Sequence, residues 1–411
     1  MKLNNSDPVT VTFAGLEMNG IYINRSGEHA IVKLSSGYNI CVPESLCLLR
    51  EKTPTVEKPK ALPLKQDASL PLLSIISTGG TIASTVDYRT GAVSSKFTAE
   101  DILRSIPELA GIARYHTLQP FQVLSENMDP AMWQVLARAI YDEILKGARG
   151  IIVTHGTDTL IYSAAAVSFM LSTPVPIIFV GAQRSADRPS SDNAMNAICS
   201  AKAAVSNLGE VAICMHANES DTTCALHRAT RVRKNHTSRR DAFQSIGREP
   251  VGWVEYPEGK IVLAKDAIVR NTNELRLADN IDSNCGLLHY YPGMDPKIFD
   301  AFKGYKGLVI AGTGLGHVGT NCIESIAGLT ASGTTVVMTS QCHAGNVCDR
   351  VYETGRDLLN AGVIEGGCML PEVALVKLMW VLGNATRKED IRRLMQTNLK
   401  GELDHDQWRV V

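Results

Sequence analysis

Apolar and polar residues follow two different patterns along this chain, and the change comes near residue 71. Before it, short β-type runs are separated by turns rich in Gly, Asn and Ser. The runs are VTVTF, GIYI, HAIVKL and YNICV, all within residues 1–50. Short strands at this spacing predict a small β-barrel. Residues 51–70 carry three prolines and many charges, which predicts a semi-extended linker.

From residue 71 onward, strands alternate with helices. The apolar runs LLSIIS, GIIVT, PIIFV and VAICM are separated by helical stretches such as DPAMWQVLARAIYDEILKG and TLIYSAAAVSFMLS. This alternation predicts an α/β fold with parallel strands joined by crossover helices, and in such sheets a ligand lies beyond the carboxyl ends of the strands. Residues of about 220–260 look looser and more charged. We therefore expect a larger α/β domain over 71–270 and a smaller one over 271–411.

Composition and charge narrow the class of protein. The chain has 411 residues, is 45% hydrophobic and 20% charged, and carries a formal net charge of -1. The net charge therefore gives no overall electrostatic attraction to nucleic acid or anionic lipid. The start, MKLNNSDPVT, has no apolar signal core, and no uninterrupted apolar run reaches transmembrane length. We expect a cytoplasmic protein with no membrane contact.

The cysteines do not indicate a metal site. Ten are scattered along the chain without a C-x-x-C pair, which is typical of reduced thiols used as small apolar residues. The segment CHAGNVC, residues 342–348, lacks a second pair of ligands at workable spacing. We expect no metal in this chain.

Three segments place polar residues directly after predicted strands. They are TGGT in IISTGGTIAST, THGTDT in IIVTHGTDTL, and GAQRS in IIFVGAQRS. A hydroxyl there is a weak nucleophile without an activating partner, while glycine exposes backbone N–H groups that hold an oxyanion. The same residue types also cap helices. Because two Gly-Thr elements on one sheet would face the same crevice, the pattern favours a catalytic site over two separate helix caps.

Both elements resemble a known family. TGGTIAS (Thr78–Ser84) and THGTDTL (Thr154–Leu160) resemble the two signature segments of bacterial-type L-asparaginases and glutaminases. The resemblance runs from about residue 71 to the end and implies a two-lobed, three-layer α/β/α body with mainly parallel sheets. With an N-terminal SH3-like barrel and a linker, the whole resembles the D-subunit family of archaeal-type glutamyl-tRNA(Gln) amidotransferases.

The resemblance implies catalytic roles for particular residues. Thr81 matches the family nucleophile, and Tyr88 matches the tyrosine that assists it. Thr157 and Asp158 match the second threonine and its aspartate partner, and Lys234 in RKNHTSRRDAFQS matches the lysine that completes the cluster. By position alone, Lys234 is better interpreted as a solvated surface lysine, and only the family resemblance reverses that interpretation.

The resemblance also implies substrate-binding roles for a second set of residues. Ser125 matches the residue that serves the substrate α-carboxylate, and Glu126 stands where many free-standing asparaginases have Gln. An acid there would pair with the substrate α-ammonium alongside Asp158. This departure from the family pattern leaves open whether Asn or Gln is the preferred substrate. The turn glycines Gly80 and Gly156 would let the substrate approach the backbone.

The roles of two histidines and of a run of basic residues remain open. His155 is expected to help the turn without giving a proton. His317 is a weaker candidate that would come from the smaller lobe, either of this chain or of a neighbouring copy. The basic run between Arg228 and Arg240 suggests phosphate contact or, alternatively, a charged loop near the site or at an interface. It contains no aromatic residue, so base stacking has no support there.

The resemblance implies a glutaminase that hydrolyses L-glutamine and passes ammonia to a partner, the E subunit of the amidotransferase. That partner would use ATP and Mg²⁺ to convert Glu-tRNA(Gln), and would carry most of the tRNA contact. No Walker-type phosphate loop is present, and no cofactor is expected in this chain. A homodimer within a heterotetramer is implied. The alternatives are a stand-alone cytoplasmic L-asparaginase and a catalytically silent scaffold.

Overall fold

A computed structural model describes most of this chain. The described residues are 3–34, 39–50, 66–79 and 99–404 except 186, 187, 189 and 349, together with the short strands at 85–86 and 93–94. The predicted linker therefore lies largely outside the described residues. Its described end contacts the following domain, since the Gln66 side-chain amide donates to the Tyr115 carbonyl oxygen at 2.9 Å.

The N-terminal segment folds into one five-stranded antiparallel sheet with its own small core. The strand order is β4-β3-β2-β1-β5, and Val9, Val11, Tyr22 and Val32 are buried against one face. This agrees with the predicted barrel-like domain. The strands are β1 (Pro8–Phe13), β2 (Leu16–Ser26), β3 (His29–Leu34), β4 (Asn39–Pro43) and β5 (Cys47–Leu49).

The larger lobe is built on an eight-stranded mixed sheet. Its order is β18-β17-β14-β13-β12-β10-β6-β9; the strands from β9 to β13 run parallel, and β14, β17 and β18 are antiparallel. The lobe's strands are β6 (Leu72–Ser77), β7 (Thr85–Val86), β8 (Val93–Ser94), β9 (Arg114–Leu118), β10 (Ile151–Thr154), β11 (Leu171–Ser172), β12 (Ile177–Val180), β13 (Val211–His216), β14 (Thr223–Arg228), β15 (Val232–Lys234), β16 (Phe243–Ser245), β17 (Gly252–Glu255), β18 (Ile261–Leu263) and β19 (Arg276–Leu277).

Among the described residues of this lobe, four α-helices cover the sheet: α1 (Ala99–Ser105), α2 (Pro130–Leu145), α3 (Leu160–Met170) and α4 (Asn193–Val205). The start of α2 follows from its sequence, because Asp129 accepts a hydrogen bond from the Met132 N–H at 2.8 Å and Pro130 needs no such partner. Its buried face recurs at helical spacing, through Trp133, Leu136, Ile140 and Ile144.

The expectation of a looser region at about 220–260 is right only in part. Strands β14 and β17 of this region belong to the large sheet, and β15 pairs with β16 in a separate hairpin, while turns and bends connect them. Their charge suggested a loop, yet arginines there are buried: the Arg228 side chain is 9% exposed and donates to Glu210 at 2.8 Å. A buried, paired arginine is compatible with a strand, whereas a solvated one suggests a loop.

The smaller lobe is a four-stranded parallel sheet in the order β20-β21-β22-β23. It packs on the larger lobe through α3 and a helix of its own, α7 (Pro371–Asn384), where the Phe169 and Trp380 rings stack with centroids 6.1 Å apart. Among the described residues, no helix is long and apolar enough to cross a membrane. The elements are β20 (Cys285–His289), β21 (Gly307–Gly312), β22 (Thr335–Ser340), β23 (Ile364–Glu365), α5 (Thr320–Ala331), α6 (Glu353–Asn360), α7 (Pro371–Asn384) and α8 (Lys388–Gln396), with 3-10 helices at Glu44–Leu46, Pro107–Gly111, Ser125–Asn127 and Pro296–Phe302.

Candidate active site

The first two predicted segments meet at the carboxyl edge of the large sheet. Strands β6 and β10 are parallel neighbours, with Ser77 opposite Thr154. Just past that pair, Thr78 donates from its N–H and from its hydroxyl to the Thr154 carbonyl oxygen, each at 3.0 Å. Thr78 is buried and joins the two loops, so its role is to support the turn.

The glycine turn after β6 brings a third segment to this edge. Gly79 has a φ of +110°, and a Cβ there would meet the Val123 carbonyl oxygen at 2.5 Å. The N–H of Val123 donates to the Thr78 carbonyl oxygen at 3.0 Å. Only glycine fits this approach. The predicted nucleophile Thr81, its helper Tyr88 and Gly80 follow directly, but they lie outside the described residues.

The second turn glycine allows Ser125 to approach the site. A Cβ on Gly156 would meet the Ser125 Cβ at 2.6 Å and Oγ at 2.8 Å. From the other side, the Thr159 hydroxyl donates to the Ser125 carbonyl oxygen at 2.6 Å. Ser125 is consequently buried beside the THGTDT turn, while the neighbouring Glu126 is exposed. Both predicted substrate-binding residues thus lie at this edge of the sheet.

The centre of the site is a cluster of Thr157, Asp158 and Lys234. The Lys234 ammonium donates to Thr157 Oγ1 at 2.9 Å and to Asp158 Oδ1 at 2.7 Å. The Lys234 side chain is 11% exposed, and that of Asp158 is 69% exposed. Lys234 is therefore not a solvated surface lysine. The strand β15 carries it under the loop that follows β10, leaving the Asp158 carboxylate open to solvent.

His155 belongs to the support of this loop. Its Nδ1–H donates to the Gly156 carbonyl oxygen at 2.8 Å, and the ring is fully buried. Burial lowers the pKa of His155 to about 4, against the opposing effect of that hydrogen bond. The ring is neutral near pH 7 and holds the turn, as the sequence suggested.

The third predicted segment, GAQRS after β12, is held by an aspartate that sequence reasoning missed. The buried Asp192 carboxylate accepts from the N–H groups of Gln183 at 2.9 Å and Arg184 at 3.0 Å. Asp192 stands directly before α4, so its sequence position indicates a helix cap. Its side chain instead fixes the loop whose Gly181 packs against the Thr157 methyl group.

The basic run is built into the fold through ion pairs. Each of its six cations contacts a carboxylate, so the alternative of a charged, structural segment describes it better than free phosphate contact. The pairs are Arg228 with Glu210 and Asp266, Arg231 with Asp404, Arg233 with Glu372, Lys234 with Asp158, Arg239 with Asp241, and Arg240 with Asp221.

The remaining candidates lie elsewhere. His317 contacts Thr354 and the edge of the Tyr352 ring in the smaller lobe. All ten cysteines, including Cys342 and Cys348 of CHAGNVC, are free thiols. Within the part of the chain that the structure describes, no three His, Cys, Asp or Glu side chains are arranged to hold a metal ion.

Comparison with known proteins identifies the family. The family model "Asparaginase, N-terminal" matches residues 72–268, and "Glutaminase/Asparaginase C-terminal domain" matches residues 284–395. The D subunit of glutamyl-tRNA(Gln) amidotransferase from Halobacterium salinarum is 49% identical over 98% of both chains. The chain belongs to this D-subunit family. Its relative from Archaeoglobus fulgidus, of the same name, is 49% identical over 96% of this chain and 94% of its own.

Solved asparaginases share the body of this D-subunit family member. The thermostable L-asparaginase of Thermococcus kodakarensis superposes with a TM-score of 0.72 at 32% identity, over 81% of this chain and 99% of its own. L-asparaginase I of Vibrio cholerae gives 0.70 at 27% identity, over 82% and 100%. These enzymes account for the two lobes and leave about a fifth of this chain unmatched, whereas the relative from Halobacterium spans nearly all of it. The stand-alone asparaginase alternative is therefore not favoured.

Proposed function

We propose that this chain is the glutamine-hydrolysing component of a glutamyl-tRNA(Gln) amidotransferase, and that it supplies ammonia to a partner subunit. The observation that carries this is the contact of Lys234 with Thr157 and Asp158 beside the glycine turn, in a chain whose D-subunit relatives match it almost end to end. The cluster supports chemistry on an amide, and the match over the N-terminal domain supports the assembly.

In the proposed reaction, the Thr81 hydroxyl attacks the side-chain carbonyl of glutamine and forms an acyl-enzyme. Backbone N–H groups of the glycine turn stabilise the oxyanion of the tetrahedral intermediate. The proton that the Thr81 hydroxyl loses on attack is passed to the leaving amide nitrogen, which departs as ammonia, and water then hydrolyses the ester to release glutamate and restore the Thr81 hydroxyl. Tyr88 is proposed to assist Thr81 in the attack.

The cluster of Thr157, Asp158 and Lys234 is proposed to handle the proton and the water. Because the Lys234 ammonium donates to Thr157 Oγ1, the Thr157 hydroxyl proton is directed to another acceptor. Thr157 can thus orient an attacking water or relay a proton, with Lys234 stabilising the negative charge that develops on its oxygen. The neutral ring of His155 takes no part in this transfer.

Substrate recognition is assigned to groups at the same edge. Ser125, held by Gly156 and Thr159, would bind the α-carboxylate. Two exposed carboxylates, Glu126 and Asp158, would pair with the α-ammonium. Two acids at this position favour an amide that also carries an α-ammonium, so they support a free amino-acid amide, the class to which glutamine belongs, over a simple amide.

The partner, the E subunit of the amidotransferase, is proposed to carry the ATP- and Mg²⁺-dependent step and most of the contact with Glu-tRNA(Gln). This division is supported by the basic run, whose cations are all engaged within this chain. A homodimer of this chain flanked by two partners in the cytoplasm completes the proposal.

The test is ammonia release from glutamine and from asparagine by the purified chain, with and without the partner and Glu-tRNA(Gln). We expect glutamine hydrolysis that increases when the partner and the charged tRNA are added. Strong asparagine hydrolysis by the chain alone, unchanged by the partner, would instead support the stand-alone asparaginase.

A further inference from the structure

The segment that follows α8 returns from the smaller lobe and covers the turn that leads to Lys234. We call residues 397–404 the C-terminal strap. The Thr230 hydroxyl donates to the Lys400 carbonyl oxygen at 2.9 Å, and Arg231 Nε donates to the Gly401 carbonyl oxygen at 2.8 Å. These contacts join positions 170 residues apart, and they are made just before β15 begins.

Arg231 is the main attachment between this turn and the strap. It is 3% exposed, and its Nη2 donates to Asp404 Oδ1 at 2.9 Å and approaches the Cys368 sulfur at 3.0 Å. The carboxylate of Asp404 also accepts from Arg248 Nε at 2.8 Å. A buried guanidinium with this many partners has one orientation, so the turn that carries it is fixed as well.

The strap is anchored in turn by an ion pair that is closed to solvent. Lys377 on α7 and Glu402 in the strap are both 0% exposed and 2.6 Å apart. Glu402 also accepts from the N–H of Leu399 at 3.0 Å, and Lys377 donates to the Thr397 carbonyl oxygen at 2.7 Å. Because both charges have further hydrogen-bond partners, the pair is well satisfied and holds the strap in one conformation.

The strand β15 is consequently attached to two elements of the smaller lobe, the C-terminal strap and α7. Arg231, just before the strand, is fixed by the strap, while Arg233 inside it pairs with the buried Glu372 of α7 at 3.0 Å. Lys234 is the next residue, and its ammonium makes the contacts with Thr157 and Asp158. A displacement of β15 would therefore change the geometry of both contacts.

We infer that the C-terminal strap positions Lys234 for glutamine hydrolysis, with Arg231 and Asp404 as its positioning residues. The inference rests on the proposed function. The strap touches neither Thr157 nor Asp158 in any described hydrogen bond, so it acts on the reaction through the placement of β15.

Asp404→Asn tests this, with Asp266→Asn as the matched control. Both carboxylates pair with Arg248 and with one buried arginine, but only Asp404 reaches Arg231. Misplacement of a catalytic group by about 1 Å costs about 10²-fold in rate. For a smaller shift we expect kcat for glutamine hydrolysis by the amidotransferase complex with Glu-tRNA(Gln) to fall about tenfold in Asp404→Asn, with KM changed less than about threefold.

Three further variants separate the outcomes. Thr230→Val, which removes the bond to Lys400, should lower kcat in the same way, and Asp404→Glu should recover part of the loss. If Asp404→Asn and Thr230→Val match Asp266→Asn in kcat while Lys234→Ala is inactive, the strap has no positioning role and the proposed function stands. If Lys234→Ala hydrolyses glutamine at the original rate, the proposed function and the inference are both wrong. Thermal melting of each variant detects loss by unfolding.

Discussion

The ammonium of Lys234 donates a hydrogen bond to the Thr157 hydroxyl across 2.9 Å, although the two residues are 77 positions apart in the chain. The contact exists because β15 passes beneath the loop that follows β10. A threonine in the THGTDT motif could also cap the following helix. The contact instead gives the Thr157 hydroxyl a charged partner. That change is what makes the THGTDT turn a candidate for catalysis.

The first prediction concerns this contact. Lys234→Ala should lower kcat for glutamine hydrolysis by a factor of about 10²–10⁴, because Thr157 loses the charge that supports proton transfer. The measurement is ammonia release at saturating glutamine. Lys260→Ala is the control, since Lys260 also pairs with a carboxylate, Glu255, but is 67% exposed. Equal activity in the two variants would remove Lys234 from the mechanism.

The second prediction concerns Gly156. In Gly156→Ala the new methyl group would be 2.6 Å from the Ser125 Cβ, so Ser125 must move away from the proposed α-carboxylate site. We expect KM for glutamine to rise by about tenfold or more, which corresponds to about 1.4 kcal/mol of lost binding. Gly328→Ala in α5 is the control, because a Cβ there meets nothing within 4 Å. An unchanged KM in Gly156→Ala would argue against Ser125 as a substrate ligand.

The third prediction is a pH dependence of stability that arises from Glu143. Burial acts to raise the pKa of this carboxyl, but hydrogen bonds from Lys146, Ser74 and His116 outweigh it and lower the pKa to about 2. A depressed carboxyl pKa stabilises the fold above the unfolded value of about 4.3, and this contribution is lost as pH falls toward 2.

Urea unfolding at pH 6 and pH 3 measures this effect. The original chain should lose more free energy of unfolding over that interval than Glu143→Gln, by about 2 kcal/mol, because the variant has no carboxyl to protonate. Glu255→Gln is the control and should behave like the original chain, since the Glu255 side chain is 45% exposed. The same pH slope in Glu143→Gln as in the original chain would contradict the assignment.

The fourth prediction concerns the buried pair of Lys377 and Glu402. Glu402→Ala leaves the Lys377 ammonium uncompensated at a position that is 0% exposed, so we expect a loss of about 3–5 kcal/mol in the free energy of unfolding. The double variant Lys377→Met with Glu402→Leu removes both charges and should recover most of that loss. A single variant that costs less than about 1 kcal/mol would show that the pair behaves like a surface ion pair.

Much of this fold follows from local patterns in the sequence. The apolar runs before TGGT and THGTDT are buried strands, and because they are parallel neighbours their loops meet, as the alternation of strands and helices predicted. The resemblance to asparaginases and glutaminases is confirmed by the family matches. The roles of Thr81, Tyr88 and Gly80 stay predictions, since these residues lie outside the described part of the chain.

Other features depend on partners that are distant in sequence. Lys234 could be placed in the site only through the family resemblance, because nothing near it indicates that its side chain is buried. Arg231 reads as part of a solvated basic run, yet its carboxylate partner Asp404 lies 173 residues further along the chain. Asp192 reads as a helix cap for a different reason: it directly precedes α4, and the loop it binds, although close in sequence, adopts no regular element that a pattern could indicate.

The central claim is that this chain releases ammonia from glutamine through a threonine nucleophile and passes it to a partner. The most direct test is amidation of Glu-tRNA(Gln) by the Thr81→Ala variant in complex with its partner, given either glutamine or ammonium chloride. The account predicts no amidation with glutamine and restored amidation with ammonium chloride. Amidation with glutamine at the original rate would contradict it.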